Sequence, residues 1–247
     1  MSSSPDLETL DSVDEEIAIP PTDLYSDEPP VESDLHLQQI ILFLECLNWW
    51  WRDRGNFYAS GNLTIYYSQK KIKSQDFRGP DFFVVLETEC KPRKSWVVWD
   101  EDGKYPNVIV EILSNSTATV DKGLKKQLYQ DTFRTPDYFW FDPNSLEFAG
   151  FHLLDGQYQP LQPNAQGHLW SQQLQLFLGV HDRKLRFFTP EGELIPSPRE
   201  AAENESRQKE FAQEQLEREA QRAEREAQRA KQLAAKLREL GVDPDTI

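Results

Sequence analysis

PNVIVEILSNSTATVDKGLKKQLYQ, residues 106–130, is the stretch whose reading decides the fold of this chain. Its first part, NVIVEIL (107–113), is long, β-branched and buried in character, with Glu111 as the one interruption. A helix is predicted from about Thr119 to Phe133, with Leu124, Leu128 and Tyr129 on its inner face. Pro136 then introduces YFWF (138–141), another strand. Upstream, LTIYY (63–67), FFVVL (82–86, opened by Pro80-Asp81) and WVVW (96–99) read as strands. Before them, Leu35, Leu37, Ile40, Ile41, Leu44, Leu47 and Trp51 recur at three- and four-residue spacing. They predict a helix over 32–51, with Ser33 or Asp34 as its N-cap and Gly55 as its stop. Downstream, 146–153, 157–161, 168–178 and 185–189 are separated by Gly, Pro and Asn and read as further strands in a meander. This order predicts an α/β (α+β) sandwich, a mixed sheet flanked by helices.

Composition agrees with a folded middle and two unlike ends. Aromatic residues are 12% of the chain, and nearly all lie between Trp49 and Phe188, which places the core there. Of the 42 acidic residues, eleven fall within 1–34, a stretch without Lys or Arg. Residues 1–30 therefore read as a disordered acidic arm, too poor in apolar surface to offset the entropy of ordering. The formal net charge is -15, but outside that stretch only about -4 remains. A broad basic footprint for nucleic acid is thus absent, because such binding rests on Lys and Arg neutralising phosphates. A narrow site in which metal ions neutralise one phosphate is not excluded. The two cysteines, Cys46 and Cys90, have no metal-ligand spacing and read as reduced thiols. The N-terminus resembles no signal or transit peptide, and no apolar run approaches the roughly 20 residues of a membrane span. A soluble, cytoplasmic protein is expected.

A globular domain is placed at 31–195 and a long helix at 198–241. The helix contains two identical consecutive heptads, EREAQRA at 217–223 and 224–230, and Gly241 and Pro244 stop it. Leu216, Ala220, Ala223, Ala227, Ala230, Ala234 and Leu237 follow a 4-3 spacing, the periodicity of a coiled coil. Alanine buries little area, so this seam predicts weak pairing at 210–240, with a second copy or another helix. A solvated single helix is the alternative.

Three polar residues sit where core strands should be apolar or directly beside them. Asp81 opens FFVVL, Glu111 interrupts NVIVEIL, and Lys125 lies on the helix that follows. An unpaired carboxylate in a buried strand is costly. Two on adjacent strands become tolerable if they hold a hard divalent cation, and a nearby lysine can act on water or phosphate. The competing reading makes Asp81 a turn cap and Glu111–Lys125 a structural bridge. His36 and Glu45, on the first helix, are accessory candidates. Lys122 and Lys126 compete with Lys125, although Lys126 points about 100° away on a helix. Gln127 and Asp121 read as structural, and Trp49-Trp50-Trp51 as core packing.

RGPDFFVV, PNVIVEILSNSTATVDKGLKKQLYQ and TPDYFWFDP together resemble the Uma-two family of restriction-endonuclease type. The resemblance rests on Asp81; Glu111 with Leu113 and Ser114; Asp121, Lys125 and Tyr129; Tyr138 and Trp140; and Asp142-Pro143. It covers roughly 32–190 and implies the restriction-endonuclease-like αβββαβ core of the PD-(D/E)XK superfamily. It further implies an endonuclease acting on phosphodiester bonds in DNA with Mg2+ or Mn2+, Asp81 and Glu111 as metal ligands and Lys125 as the third catalytic residue. One departure stands out. The superfamily's Glu-x-Lys lysine would fall at Leu113, so the role passes to Lys125 on the neighbouring helix. A catalytically silent adaptor with the same fold, assembling through its C-terminal helix, is the alternative function.

Overall fold

The computed structural model describes residues 23–26, 31, 33–67, 79–114 and 121–239. Within the stretch expected as a disordered arm, residues 23–26 are hydrogen-bonded to the domain. Ser26 N–H donates to the Lys94 carbonyl, and Ser95 Oγ donates to the Leu24 carbonyl. The rest of that arm, and Gly241 and Pro244, lie outside the described residues.

Polar groups set how the first helix faces the sheet. Helix α1 spans Asp34–Trp50, capped by Ser33, whose side chain accepts from the His36 N–H. The predicted stripe holds in part: Ile40, Leu47 and Trp51 are buried, but Leu35 is 54% exposed, Leu37 and Ile41 are also exposed, and His36, Gln39, Phe43 and Cys46 are buried beside the stripe. A helix apolar on most sides does not choose its own inner face. Here Gln39 chooses it, pairing through its amide with both backbone groups of Leu185 at 2.8 and 3.0 Å. Of the three consecutive tryptophans, Trp51 enters the core edge-on to Phe57, whereas Trp50 is exposed.

The main sheet has six strands. Those before the second helix are β1 (Phe57–Gly61), β3 (Phe82–Leu86) and β5 (Val108–Ile112); β6 (Asp137–Phe141), β7 (Phe148–Leu154) and β8 (Gln157–Pro160) follow it, and the spatial order is β1-β3-β5-β6-β7-β8. All neighbours are antiparallel except β5 and β6, which are parallel. Parallel strands need a crossover, and helix α2, residues 121–133, supplies it. The series α1, β1, β3, β5, α2, β6 is the expected αβββαβ order. Strand β1, FYASG, is missing from the sequence reading, because Ser and Gly give it no apolar alternation. Short strands β2 (Ile65–Tyr66) and β4 (Trp96–Val97) pair in parallel as a separate ribbon. Strands β9 (Leu169–Ser171), β10 (Leu176–His181) and β11 (Lys184–Phe188) form a third, antiparallel sheet, so 168–178 is two strands joined by a turn.

Alternation along β3 and β5 divides the core in two. Phe82, Val84, Val108 and Val110 pack with α1 and the β9–β11 sheet, while Phe83, Val85 and Ile109 pack with Trp96 of β4 and Tyr129 and Phe133 of α2. Helix α2 is wound as π-helix over Asp121–Lys125 and Tyr129–Phe133, with an α-helical turn between. The wider winding changes the phase expected at 100° per residue. Leu124, predicted inward, is 72% exposed, and its neighbour Lys125 turns toward the sheet instead.

Helix α3, Pro198–Glu239, rises about 63 Å at 1.5 Å per residue. Ser197 and Glu200 form a capping box: Ser197 N–H donates to the Glu200 carboxylate, and Glu200 N–H donates to Ser197 Oγ. The same carboxylate receives two hydrogen bonds from the buried Arg186 of β11, at 2.7 and 3.0 Å. Beyond this base no described side chain of the helix is buried.

The Arg186 hydrogen bonds, against the opposing effect of burial, draw the Glu200 pKa from 4.5 down to about 2. A folded-state pKa below the unfolded one gives stability that is complete above pH 4.5 and lost as pH falls toward 2. Glu200→Gln should therefore lower the melting temperature at neutral pH and flatten its fall over that window. Parallel melting curves for the two proteins would contradict this role.

Candidate active site

The β3–β5 pairing puts Phe82 opposite Val110 and Phe83 opposite Ile109. Asp81 directly precedes β3, and extending that register by one residue sets it opposite Glu111. Side chains directly opposite on antiparallel strands have Cβ atoms about 5 Å apart, and two like charges there repel. The protein answers with cationic and hydrogen-bonding groups from both flanking helices.

Glu111 is fully buried. Its Oε1 accepts from the Tyr129 hydroxyl at 2.6 Å, and its Oε2 lies 3.0 Å from Lys125 Nζ. Lys125 and Tyr129 are four residues apart on α2, the spacing that brings two side chains to one face. Tyr129 was legible as part of the family motif but not as a site residue; that four-residue step from Lys125 is the signal that marks it. From the other side, His36 Nε2 stands 3.0 Å from Asp81 Oδ1, near enough for an ion pair though off the ideal line of a hydrogen bond. Asp81 Oδ2 accepts from the Ile112 N–H at 2.7 Å. Burial raises the Asp81 pKa, but the His36 contact and the Lys125 charge outweigh it and hold the carboxyl below its ordinary value.

The structure thus brings Asp81, Glu111, Lys125 and His36 together. Glu45 is not among them: it is exposed, nine residues beyond His36 and so about 13 Å along α1. Lys126 is also elsewhere, with its Nζ 3.4 Å from the centre of the Phe151 ring. Gln127 is exposed, and the side chains of Asp121 and Lys122 lie outside the described residues. Cys46 is buried and Cys90 exposed, both as free thiols.

Among the described residues, no group of three or more His, Cys, Asp or Glu side chains is arranged as a ligand set. A cation here would be met by two carboxylates and complete its shell with water, the mode in which Mg2+ is commonly bound. A carboxylate has about four lone-pair positions in all, more than the contacts named above engage. The donor set fits such an ion.

A second buried acid is structural. Asp137 accepts from Ser171 Oγ at 2.6 Å and Gln173 N–H at 3.0 Å, and lies 2.7 Å from His152 Nδ1. The serine donates to the aspartate rather than to the histidine, so no nucleophile–base pair exists there. The carboxylate ties the β9 region to the start of β6. No helix among the described residues is long and apolar enough to cross a membrane.

A profile of the Uma2 (Uma-two) family, described as "Putative restriction endonuclease", matches residues 7–181. That span includes the six-stranded sheet and all four converging residues, and excludes α3. No curated protein matches this chain. Among solved structures, one similar chain is a "putative nuclease belonging to DUF820 from Anabaena variabilis ATCC 29413". It shares 13% identity at a TM-score of 0.43, over 60% of this chain and 76% of that one.

Proposed function

We propose, from the premise that this chain belongs to the Uma2 family of restriction-endonuclease type, that its domain hydrolyses phosphodiester bonds in DNA with the help of a divalent cation, Mg2+ or Mn2+. One observation carries the reading: the register of two neighbouring strands carries Asp81, just before β3, to a place opposite Glu111 of β5, with a lysine amine 3.0 Å from Glu111. Asp81 and Glu111 would hold the cation, which when bound supplies Lewis acidity toward a phosphoryl oxygen and lowers the pKa of water. Tyr129 fixes one oxygen of Glu111 and so the plane of its carboxylate. Lys125 neutralises the other oxygen in the free protein. Its flexible four-carbon stem lets the ammonium swing to a phosphate oxygen or to an attacking water, where it offsets developing negative charge. The low basic content outside the site leaves affinity to these few contacts rather than to a broad electrostatic footprint.

The test is a substrate panel of plasmid, single-stranded DNA and RNA, each with Mg2+, with Mn2+ and with chelator. Nicking or linearisation of plasmid that needs the cation and stops with chelator is expected. Cleavage of RNA alone would overturn the DNA assignment, and undiminished cleavage in chelator would overturn the cation.

A second reading is favoured by α3, which extends about 63 Å with none of its described side chains buried. In it the domain is catalytically silent and the chain is an adaptor, joined through 210–240 to a second copy or a helical partner. Silence of the folded protein across the whole panel would select this reading.

A further inference from the structure

We infer that His36 is a positioning residue of this site, holding the Asp81 carboxylate in the orientation that meets a divalent cation; the inference rests on the metal-dependent reading above. Leu35 and Leu37 are exposed while the imidazole between them is buried, an inversion that costs free energy unless the ring has a polar partner. That partner is Asp81 Oδ1, at 3.0 Å. The second contact of Asp81, from the Ile112 N–H to Oδ2, comes from the neighbouring strand. The hydrogen bond to Oδ2 and the imidazole against Oδ1 restrain the carboxylate from two sides, while a carboxylate offers about four lone-pair positions in all.

The seat of His36 is built from three directions. Ser33 caps the turn that carries it. Gln39 anchors the next residues of α1 to the backbone of Leu185. One turn along, Ile40 lies directly on Gly61, where a Cβ would overlap the Ile40 side chain and stand 2.9 Å from the Asp81 carbonyl oxygen. Helix α1 therefore rests through Ile40 on the bare backbone at the end of β1, next to the Asp81 carbonyl. A histidine held so tightly against a ligand carboxylate acts through that carboxylate. Groups that hydrogen-bond a metal ligand typically contribute about 10–100-fold to metal affinity.

The experiment is calorimetric titration of Mn2+ into the full chain carrying His36→Leu or His36→Gln, with melting temperatures measured in the absence of metal. Leucine fills the volume without a polar atom, whereas glutamine keeps an N–H donor. His36→Leu should bind Mn2+ about 10–100-fold more weakly while melting close to wild type, and His36→Gln should restore most of the affinity. Unchanged affinity in His36→Leu would overturn the inference while leaving the metal reading intact. So would equal losses in both variants accompanied by equal falls in melting temperature, since that marks packing alone. A wild-type protein that binds no Mn2+ would overturn the metal reading and this inference together.

Discussion

Glu111→Ala is expected to abolish calorimetrically detectable Mn2+ binding, and cleavage with it, while the domain stays folded. The substitution removes one of the two carboxylates proposed to hold the cation, and the single one left should bind it too weakly to register in the titration. The fold should survive because the change deletes a buried anion rather than stranding one. Lys125, whose side chain is 14% exposed, can extend into water once its partner is gone. Tyr129 loses the carboxylate acceptor for its hydroxyl, a cost of about 1–3 kcal/mol. A cooperative melt within several degrees of wild type, together with a flat binding isotherm, is the combined expectation. Unchanged Mn2+ binding would refute the ligand role of Glu111.

Lys125→Ala should show the opposite split. Without the ammonium, Glu111 is a buried carboxylate that has lost its Lys125 counter-ion, and breaking a buried pair from one side costs about 3–5 kcal/mol. The variant should therefore melt well below wild type in chelator. It should still bind Mn2+, because both carboxylates remain and a competing cation is gone. Binding to the native state at 100 times the dissociation constant restores about 2.7 kcal/mol, so Mn2+ should raise its melting temperature more than that of wild type. Cleavage should nevertheless fall by roughly 100- to 1000-fold, the usual effect of removing one group that stabilises transition-state charge. Thermal melts and single-turnover cleavage of the two proteins, each with and without Mn2+, check the three expectations. Wild-type cleavage by the variant would make Lys125 only a structural counter-ion.

The parts of the fold and site that were legible in the sequence were those written in single residues against their surroundings. A glutamate inside NVIVEIL and an aspartate opening FFVVL are visible because buried strands rarely carry charge, and strand register then brings them face to face. What stayed hidden depended on tertiary choice. The inner face of α1 is set with the help of Gln39 finding Leu185, 146 positions away, and of His36 finding Asp81, so of the predicted stripe Ile40, Leu47 and Trp51 are buried while Leu35, Leu37 and Ile41 are not. Glu45 was a candidate for its place on the first helix, and it is exposed. Leu124 faces solvent because α2 is π-wound, a change of period that an α-helical template does not contain. Strand β1 is short and ends in Ser60 and Gly61, and its glycine is there for the close approach of Ile40 rather than for strand propensity. By contrast, Ser197-Pro198-Arg199-Glu200 is a local capping signal that needs no tertiary knowledge, and the start of α3 lies where such a signal puts it.

The most direct test of the central claim is anomalous X-ray diffraction from crystals of the full chain grown with Mn2+. The account predicts one strong anomalous peak between Asp81 and Glu111, roughly 2 Å from an oxygen of each, with Lys125 Nζ displaced from Glu111. An ordered site in which Lys125 keeps its contact with Glu111 and no peak lies between the two acids would contradict it.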